Sequence, residues 1–482
     1  MTETLPTPTT LDVTALDPTV RPQDDLFRHV NGPWLEEAEI PDDKALIGAF
    51  RTLADQAEAS IRDIITTMAV DSEDADEARI AGLYASFMDE DRLEELGGSP
   101  LRPMLAQVDA ATDFASLTDV LGDLGRVGVD WLVSASSDSD PGDPGNQVLF
   151  VGQSGLGLPD EAYYRLPEHA ETKAAYRDHV QAMFEIAGLP DPAAQADRVL
   201  DLESRIAACH WDKVRSRDLR AMYNPMPLVQ VHESAPGLEL ARYFTAAGFE
   251  ERHLGTVVNA QPSFFTAVAA LTGQDFESWL SWARWNVIAA FASYLSSDYV
   301  AESFRFFGTV LTGTPKNRER WKRGVSLVEG SLGEAVGRIY VERHFSPKAK
   351  DRMDELVADL IEAYRRSITA LDWMTEETKA KALDKLGKFT PKIGFPAKWK
   401  DYSSITIDPT DLVENVRQVR MYAVRRLLEK VGKPVDRDEW FMTPQTVNAY
   451  YHPLRNEIVF PAAILRPPFF DEDADDAVNF GG

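Results

Sequence analysis

Cysteine is all but absent. The chain of 482 residues holds one, Cys209, so no disulfide can form within it. A zinc site built on cysteine needs two to four thiolates and is excluded as well. The lone thiol falls in a helix-like run, Leu202–His210, and reads as an inert, small, buried side chain. Basic residues are scarce: 50 Lys and Arg stand against 78 Asp and Glu, which leaves a net charge of −28 and a pI near 4.7. A field of that sign repels phosphate backbones and anionic lipid surfaces, which argues against nucleic acid and membrane as partners. No run of about 18 apolar residues occurs, so no membrane insertion is expected. The N-terminus lacks the basic and apolar regions of a secretory signal, and the expected location is cytoplasmic, or reached by a signal-less export route. Residues 1–20 are rich in Thr and Pro and are expected to form a disordered tail.

Catalytic motifs are lacking too. A helical HExxH places two histidines one turn apart on a metal with the glutamate as base. The eight histidines are His29, His169, His179, His210, His232, His253, His344 and His452, and no two are four apart. His232-Glu233 opens the pattern, but Pro236 stands in the second histidine position, so it reads as a chance match in a loop. There is no P-loop and no GxGxxG opening a helix, and Gly152-Gln-Ser-Gly155 has the wrong spacing for a nucleophile elbow. The paired acids Asp24-Asp25, and Asp89-Glu90-Asp91 with Glu94 and Glu95, read as caps or solvated faces in so acidic a chain. On residues alone there is no complete catalytic apparatus.

What is present is helix. Hydrophobic residues make up 44% and charged residues 27%, as in a soluble globular protein of one to three domains. In Ser346–Met374, Ser346 suits an N-cap and Pro347 the first turn. Met353, Leu356, Val357, Leu360, Ile361, Tyr364, Ile368 and Leu371 then recur at i, i+3, i+4 as one apolar stripe. Thr375 restarts a second helix, with Glu376 and Glu377 in its first turn. Similar patterns run through Ile61–Met68, Glu77–Met88, Leu117–Leu124, Ala174–Ala187, Asp197–Cys209, Phe264–Leu271 and Asp411–Lys430. Breaks at Pro100–Pro103, Pro141–Gly145 and Gly394–Pro396 separate such stretches. One stretch departs from this: Thr446–Tyr451 and Glu457–Phe460 flank a Pro/Asn turn and read as a β-hairpin. A lone hairpin is marginal in water and must pack on something.

Recognition begins at the hairpin. Val447-Asn-Ala-Tyr-Tyr451, Asn456-Glu-Ile-Val-Phe-Pro-Ala462 and Leu465-Arg-Pro-Pro-Phe-Phe470 resemble the neprilysin family of zinc metallopeptidases. Further matching stretches include Asp24-Asp25-Leu26-Phe27, Asn31-Gly-Pro-Trp34, Leu156-Gly-Leu-Pro159, Lys392-Ile-Gly-Phe-Pro396 and Asp438-Glu-Trp440. The resemblance spans roughly 21–482 and is closest to the disulfide-free actinobacterial branch. It implies a mainly α fold: a large helical lobe plus the beginning of a thermolysin-like α+β catalytic lobe, together enclosing a chamber. The expected organisation is an N-terminal segment at 21–55 packing near the catalytic lobe, a helical lobe at 56–400, and the start of the catalytic lobe at 401–482.

The resemblance also implies a zinc endopeptidase of oligopeptides, in which zinc-bound water attacks the peptide carbonyl with the help of a glutamate. Asn479–Gly482 corresponds to the segment just before the zinc helix. The ligands would therefore lie in a missing C-terminal segment, zinc would belong to the full-length parent, and this chain alone is expected to bind none and to be inactive. The packing of Trp440, Phe441, Val447, Ile458 and Phe460 would then be largely lost, leaving an exposed apolar patch.

Substrate binding is what carries over. By resemblance, Val447–Tyr451 is the edge strand along which an extended peptide adds, with Tyr450 in it, the Asn448 side chain and the Ala449 carbonyl on the substrate backbone. Phe50, Ile464 and Phe469 match positions lining the S1′ pocket and imply cleavage on the N-terminal side of hydrophobic residues. In neprilysin itself an Arg and an Asp select short substrates by their free C-terminus. Here Leu46 and Arg51 stand in their places, which points to endopeptidase action instead. The alternative from another class is a non-catalytic helical protein that binds peptides or a partner.

Overall fold

The computed structural model describes residues 13–482, and the part of the expected tail before residue 13 lies outside them. Within 13–20 the chain forms a short 3-10 turn, Val13–Ala15, and Asp17 accepts hydrogen bonds from the backbone and side chain of Thr19. Among the described residues no helix is long and apolar enough to cross a membrane. Close packing divides the chain into two compact units, each assembled from separated stretches. This differs from the expected division at residue 400: Arg318–Tyr402 joins the described residues up to Ile80 and Arg437–Gly482, while Ser403–Asp436 joins Ala81–Asn317.

The Ala81–Asn317 unit is helical around an aromatic core. Its central helix, Phe276–Phe291, buries Trp279, Trp282, Trp285, Val287, Ile288 and Phe291, and so is apolar on nearly all sides, as a helix enclosed by others must be. It packs on Pro192–Ala207, whose Val199, Leu202 and Ile206 form a buried stripe. Cys209 is a half-buried free thiol just beyond that helix. Its Sγ donates to the Arg205 carbonyl at 3.4 Å, and burial raises its pKa.

The expectation that only one stretch leaves the helical pattern is corrected here. A four-stranded sheet forms from β1 (Val133–Asp140), β2 (Asp143–Gln153), β3 (Pro225–Pro227) and β4 (Thr256–Asn259), in the order β1-β2-β4-β3. Pro141-Gly142, read as a break, is the turn of the β1–β2 hairpin. His232 and Glu233 lie in a short helix, Leu228–Ser234, and not in a loop; Pro236 begins the 3-10 turn that follows.

In the other unit, the helix Ala49–Thr66 buries Leu53, Ala57, Ile61, Ile64 and Ile65 against the long helix Arg320–His344. That second helix kinks at Leu332. Just past the kink, Gly333 and Gly337 leave the surface flat. A Cβ on Gly333 would meet Thr443 at 2.7 Å, and one on Gly337 would meet the Gln445 side chain at 2.7 Å. Gln445 Nε2 donates to the Gly333 carbonyl at 2.8 Å, so the segment leading into Asn448 is docked on this glycine face.

The helix Pro347–Ala370 is capped as the sequence indicates: the Ser346 side chain accepts from the Ala349 N–H at 2.9 Å. Thr375 caps Glu376–Gly387 in the same way. Asp25 caps Leu26–Glu37, and Asp89 caps Glu90–Leu96, so those acids serve as caps.

The hairpin is present but does not stand alone. β6 (Tyr450–His452) pairs antiparallel with β7 (Glu457–Pro461), and β5 (Thr390–Gly394) pairs parallel with β7 on its other side. The order is β5-β7-β6, which leaves β6 at an edge. Helix Pro347–Ala370 covers this sheet through Ala349, Met353 and Val357, in a core shared with Ile393, Ile464, Leu465 and Phe470. The expected apolar patch is therefore corrected: Trp440 is buried, Val447, Ile458 and Phe460 are half-buried, and Phe441 alone of the five is exposed. Val447 and Phe460 pack against that same core.

Candidate functional site

Residues that the sequence places far apart meet beside the β6 edge. Phe50 lies at the start of Ala49–Thr66, Asn448 and Ala449 just precede β6, Ile464 ends a 3-10 turn after β7, and Phe469 follows the Pro467-Pro468 pair. All five line one cavity of about 330 Å³. Its remaining wall is mostly apolar, from Met353, Leu356 and Leu360 on the Pro347–Ala370 helix to Phe460, Leu465, Phe470 and Phe480, with Asn479 and Gly482 completing it. The Phe50 and Phe469 rings sit 4.3 Å apart, and Phe50 is still 53% exposed, so it forms a rim. Among the described residues, no basic or acidic side chain lines the cavity.

The expected edge strand is shorter than read from the sequence. β6 begins at Tyr450, and Val447–Ala449 lie outside the ladder. The physical reason is local: the Asn448 N–H turns back to the Thr446 carbonyl at 3.0 Å, and the Ala449 N–H is taken by Asn448 Oδ1 at 2.8 Å. That leaves the exposed Asn448 Nδ2 with no hydrogen-bond partner among the described residues.

Two of the expected residues stand off the cavity. Tyr450 turns towards Phe441: its hydroxyl accepts from the Phe441 N–H at 3.1 Å, and burial pushes its pKa up to about 12. Arg51 is exposed and, like Leu46, does not line the cavity. Conversely, Met353, Leu356 and Leu360 were legible only as a core stripe. The hint that part of this stripe serves something else is that Leu360 and Tyr364 remain 42% and 63% exposed.

Known proteins resemble this chain. Residues 22–396 match peptidase family M13 through its N-terminal part, and residues 448–482 match the same family again. The chain belongs to peptidase family M13. It is similar to endothelin-converting enzyme 1 of Rattus norvegicus, 28% identical over 505 residues that cover 100% of this chain and 66% of that protein. It is also similar to neprilysin-3 of Drosophila melanogaster, 28% identical over 97% of this chain and 63% of that one. The chain thus spans a little under two thirds of the length of these relatives.

Among solved structures it resembles the Mycobacterium tuberculosis zinc metalloprotease ZMP1 in complex with an inhibitor. The TM-score is 0.93 at 47% identity, over 98% of this chain and 72% of that one. PepO of Lactobacillus rhamnosis HN001 gives a TM-score of 0.88 at 26% identity, over 96% and 74%.

The relatives in this family are zinc metallopeptidases, so a zinc site is the centre the family implies. Among the described residues no group of three or more His, Cys, Asp or Glu is placed to hold a metal ion. The described residues therefore do not fit a zinc centre.

Proposed function

We propose that this chain is the peptide-holding part of an M13 zinc endopeptidase. An oligopeptide lies extended along β6, and one large apolar side chain of it enters the cavity between Phe50, Ile464 and Phe469. The Asn448 Nδ2 donates to a substrate carbonyl and the Ala449 carbonyl accepts a substrate N–H, so backbone is held without reading sequence. Cleavage falls on the N-terminal side of the residue in the cavity. Zinc belongs to the full-length parent; this chain by itself holds none and does not cleave.

The observation that carries this reading is the convergence of Phe50, Asn448, Ala449, Ile464 and Phe469 on one apolar cavity at a sheet edge. The test is binding of dansyl-Ala-Ala-Phe-Ala-Ala amide against the same peptide with Gly at the centre. The Phe peptide is expected to bind at least tenfold tighter; equal affinities refute the cavity's role. Metal analysis of the purified chain after zinc loading and desalting is expected to give a ratio near zero, and a ratio near one overturns the statement that it holds no zinc.

A further inference from the structure

The edge strand β6 is three residues long and has a neighbour on one side only. Little in the strand itself fixes its position, because a slip of one residue would turn every side chain to the other face. Buried charges crowd the turn behind it. Glu457, paired in register with His452, has a side chain only 1% exposed, and its carboxylate lies 2.8 Å from Lys392 Nζ on β5. The same Nζ donates to the Glu439 carbonyl at 2.9 Å. Arg455, 1% exposed in the β6–β7 turn, has a guanidinium nitrogen 3.5 Å from Glu439 Oε2 and its carbonyl on Arg437 at 2.8 Å. The guanidinium lies over the Phe441 ring at 4.5 Å. Phe441 in turn stacks on His452 at 5.4 Å and meets Tyr450 edge-on at 5.8 Å. Two of the three β6 side chains are thus held by a ring that Arg455 holds from behind.

Buried ion pairs are seldom more stabilising than apolar packing of equal volume, and their best-attested use is to fix register. We propose that Arg455, oriented by Glu439, is a positioning residue for peptide binding: it pins β6 in the register that keeps Ala449 at the cavity and the strand edge open. This rests on the reading of β6 as the peptide-binding edge. Arginine suits the task because its guanidinium stays charged when buried and can lie over a ring while one nitrogen faces a carboxylate.

The experiment uses the full chain with Arg455→Lys and, should that variant not fold, Glu439→Gln. Three quantities are read: affinity for dansyl-Ala-Ala-Phe-Ala-Ala amide, affinity for N-phenyl-1-naphthylamine as a small apolar filler of the cavity, and hydrogen exchange of amides 450–452. A positioning role predicts peptide affinity down about tenfold, filler affinity within about twofold, and faster exchange at 450–452. Wild-type peptide affinity in the variants overturns the proposal. So does a parallel loss of peptide and filler binding, which marks general damage, or weakened peptide binding with unchanged exchange. Failure of the wild-type chain to bind the peptide at all instead removes the reading of β6 on which the proposal rests.

Discussion

Glu203 offers a test of the energetics inside the helical unit. Its side chain is 1% exposed and has no Lys or Arg partner among the described residues. Three donors face it: Tyr164 Oη at 2.5 Å and the Gly157 N–H at 3.2 Å on one oxygen, and Tyr176 Oη at 3.0 Å on the other. Burial raises its pKa from 4.5 to about 7, against the pull of those donors.

Below pH 4.5 the carboxyl is protonated whether the chain is folded or not, and it contributes no pH dependence. Between 4.5 and about 7 the unfolded chain ionises while the folded chain keeps its proton, so stability falls as pH rises; above 7 the loss is complete. An interval of about 2.5 pH units at about 1.4 kcal/mol each amounts to roughly 3–4 kcal/mol. Glu203→Gln imitates the protonated acid in being neutral at every pH: its Oε1 can accept from Tyr164 and Gly157, and its Nε2, like the acid's O–H, requires the Tyr176 hydroxyl to turn from donor to acceptor. The variant is therefore expected to match the wild type within about 1 kcal/mol at pH 4.5. By pH 8 it is expected to be more stable by roughly 3–4 kcal/mol.

Urea unfolding followed by tryptophan fluorescence suits the measurement. The indole N–H of Trp285 donates to Tyr176 Oη at 2.8 Å and reports on this cluster. Taking the difference between the two proteins cancels every other titration. A difference that is flat with pH, or one in which the variant loses ground as pH rises, refutes the reasoning. It would mean that the three donors outweigh burial and hold Glu203 ionised.

Four further outcomes follow from the same contacts. Gly157→Ala would drive a Cβ into the Tyr176 hydroxyl, which is fully buried and cannot yield; a loss of roughly 2–4 kcal/mol is expected in the same urea assay. Phe50→Ala removes a half-exposed rim and should leave stability within about 1 kcal/mol, yet weaken binding of the Phe-centred peptide about fivefold in a titration. Lys392→Met leaves Glu457 buried without its cation and should cost roughly 3–5 kcal/mol, while Lys392→Met with Glu457→Leu should recover most of it in thermal melts. Because no basic side chain lines the cavity, peptides with a free or an amidated C-terminus should bind within about twofold of each other; strong preference for the free acid would show C-terminal selection and count against endopeptidase action.

How far the sequence spoke for itself depended on range. Ser346 and Thr375 were legible as caps because a cap and its partner are three residues apart. The stripe from Met353 to Tyr364 was legible because helical spacing is local. β1 escaped notice because Val133–Asp140 is mostly Ser, Ala and Asp, and β2 finds its parallel partner β4 about a hundred residues later. β5 was hidden because Thr390-Pro391 reads as a helix end, and only the distant β7 makes it a strand. The cavity residues were legible through resemblance alone. Nothing in the pattern around Phe50 distinguishes a rim from a core position, and Phe480 joins the wall only because the short helix Asp476–Gly481 folds back there.

The dimensions of the site argue for how it selects. A cavity of about 330 Å³ lies at the small end for ligand pockets, enough for one large side chain and not for a folded peptide. On the proposed reading, the rest of an oligopeptide would find its contacts elsewhere, and the free edge of β6 offers backbone donors and acceptors for it. Edge pairing is indifferent to side chains, whereas the cavity admits one and rewards apolar area at about 25 cal/mol per Å². Discrimination should therefore concentrate at a single substrate position and be weak at its neighbours. The register of β6 then matters as much as the shape of the cavity, because it decides which residue of an extended chain is presented to Phe469. On the proposed reading, a buried arginine behind the strand, touching no part of the cavity, would belong to the specificity of the site.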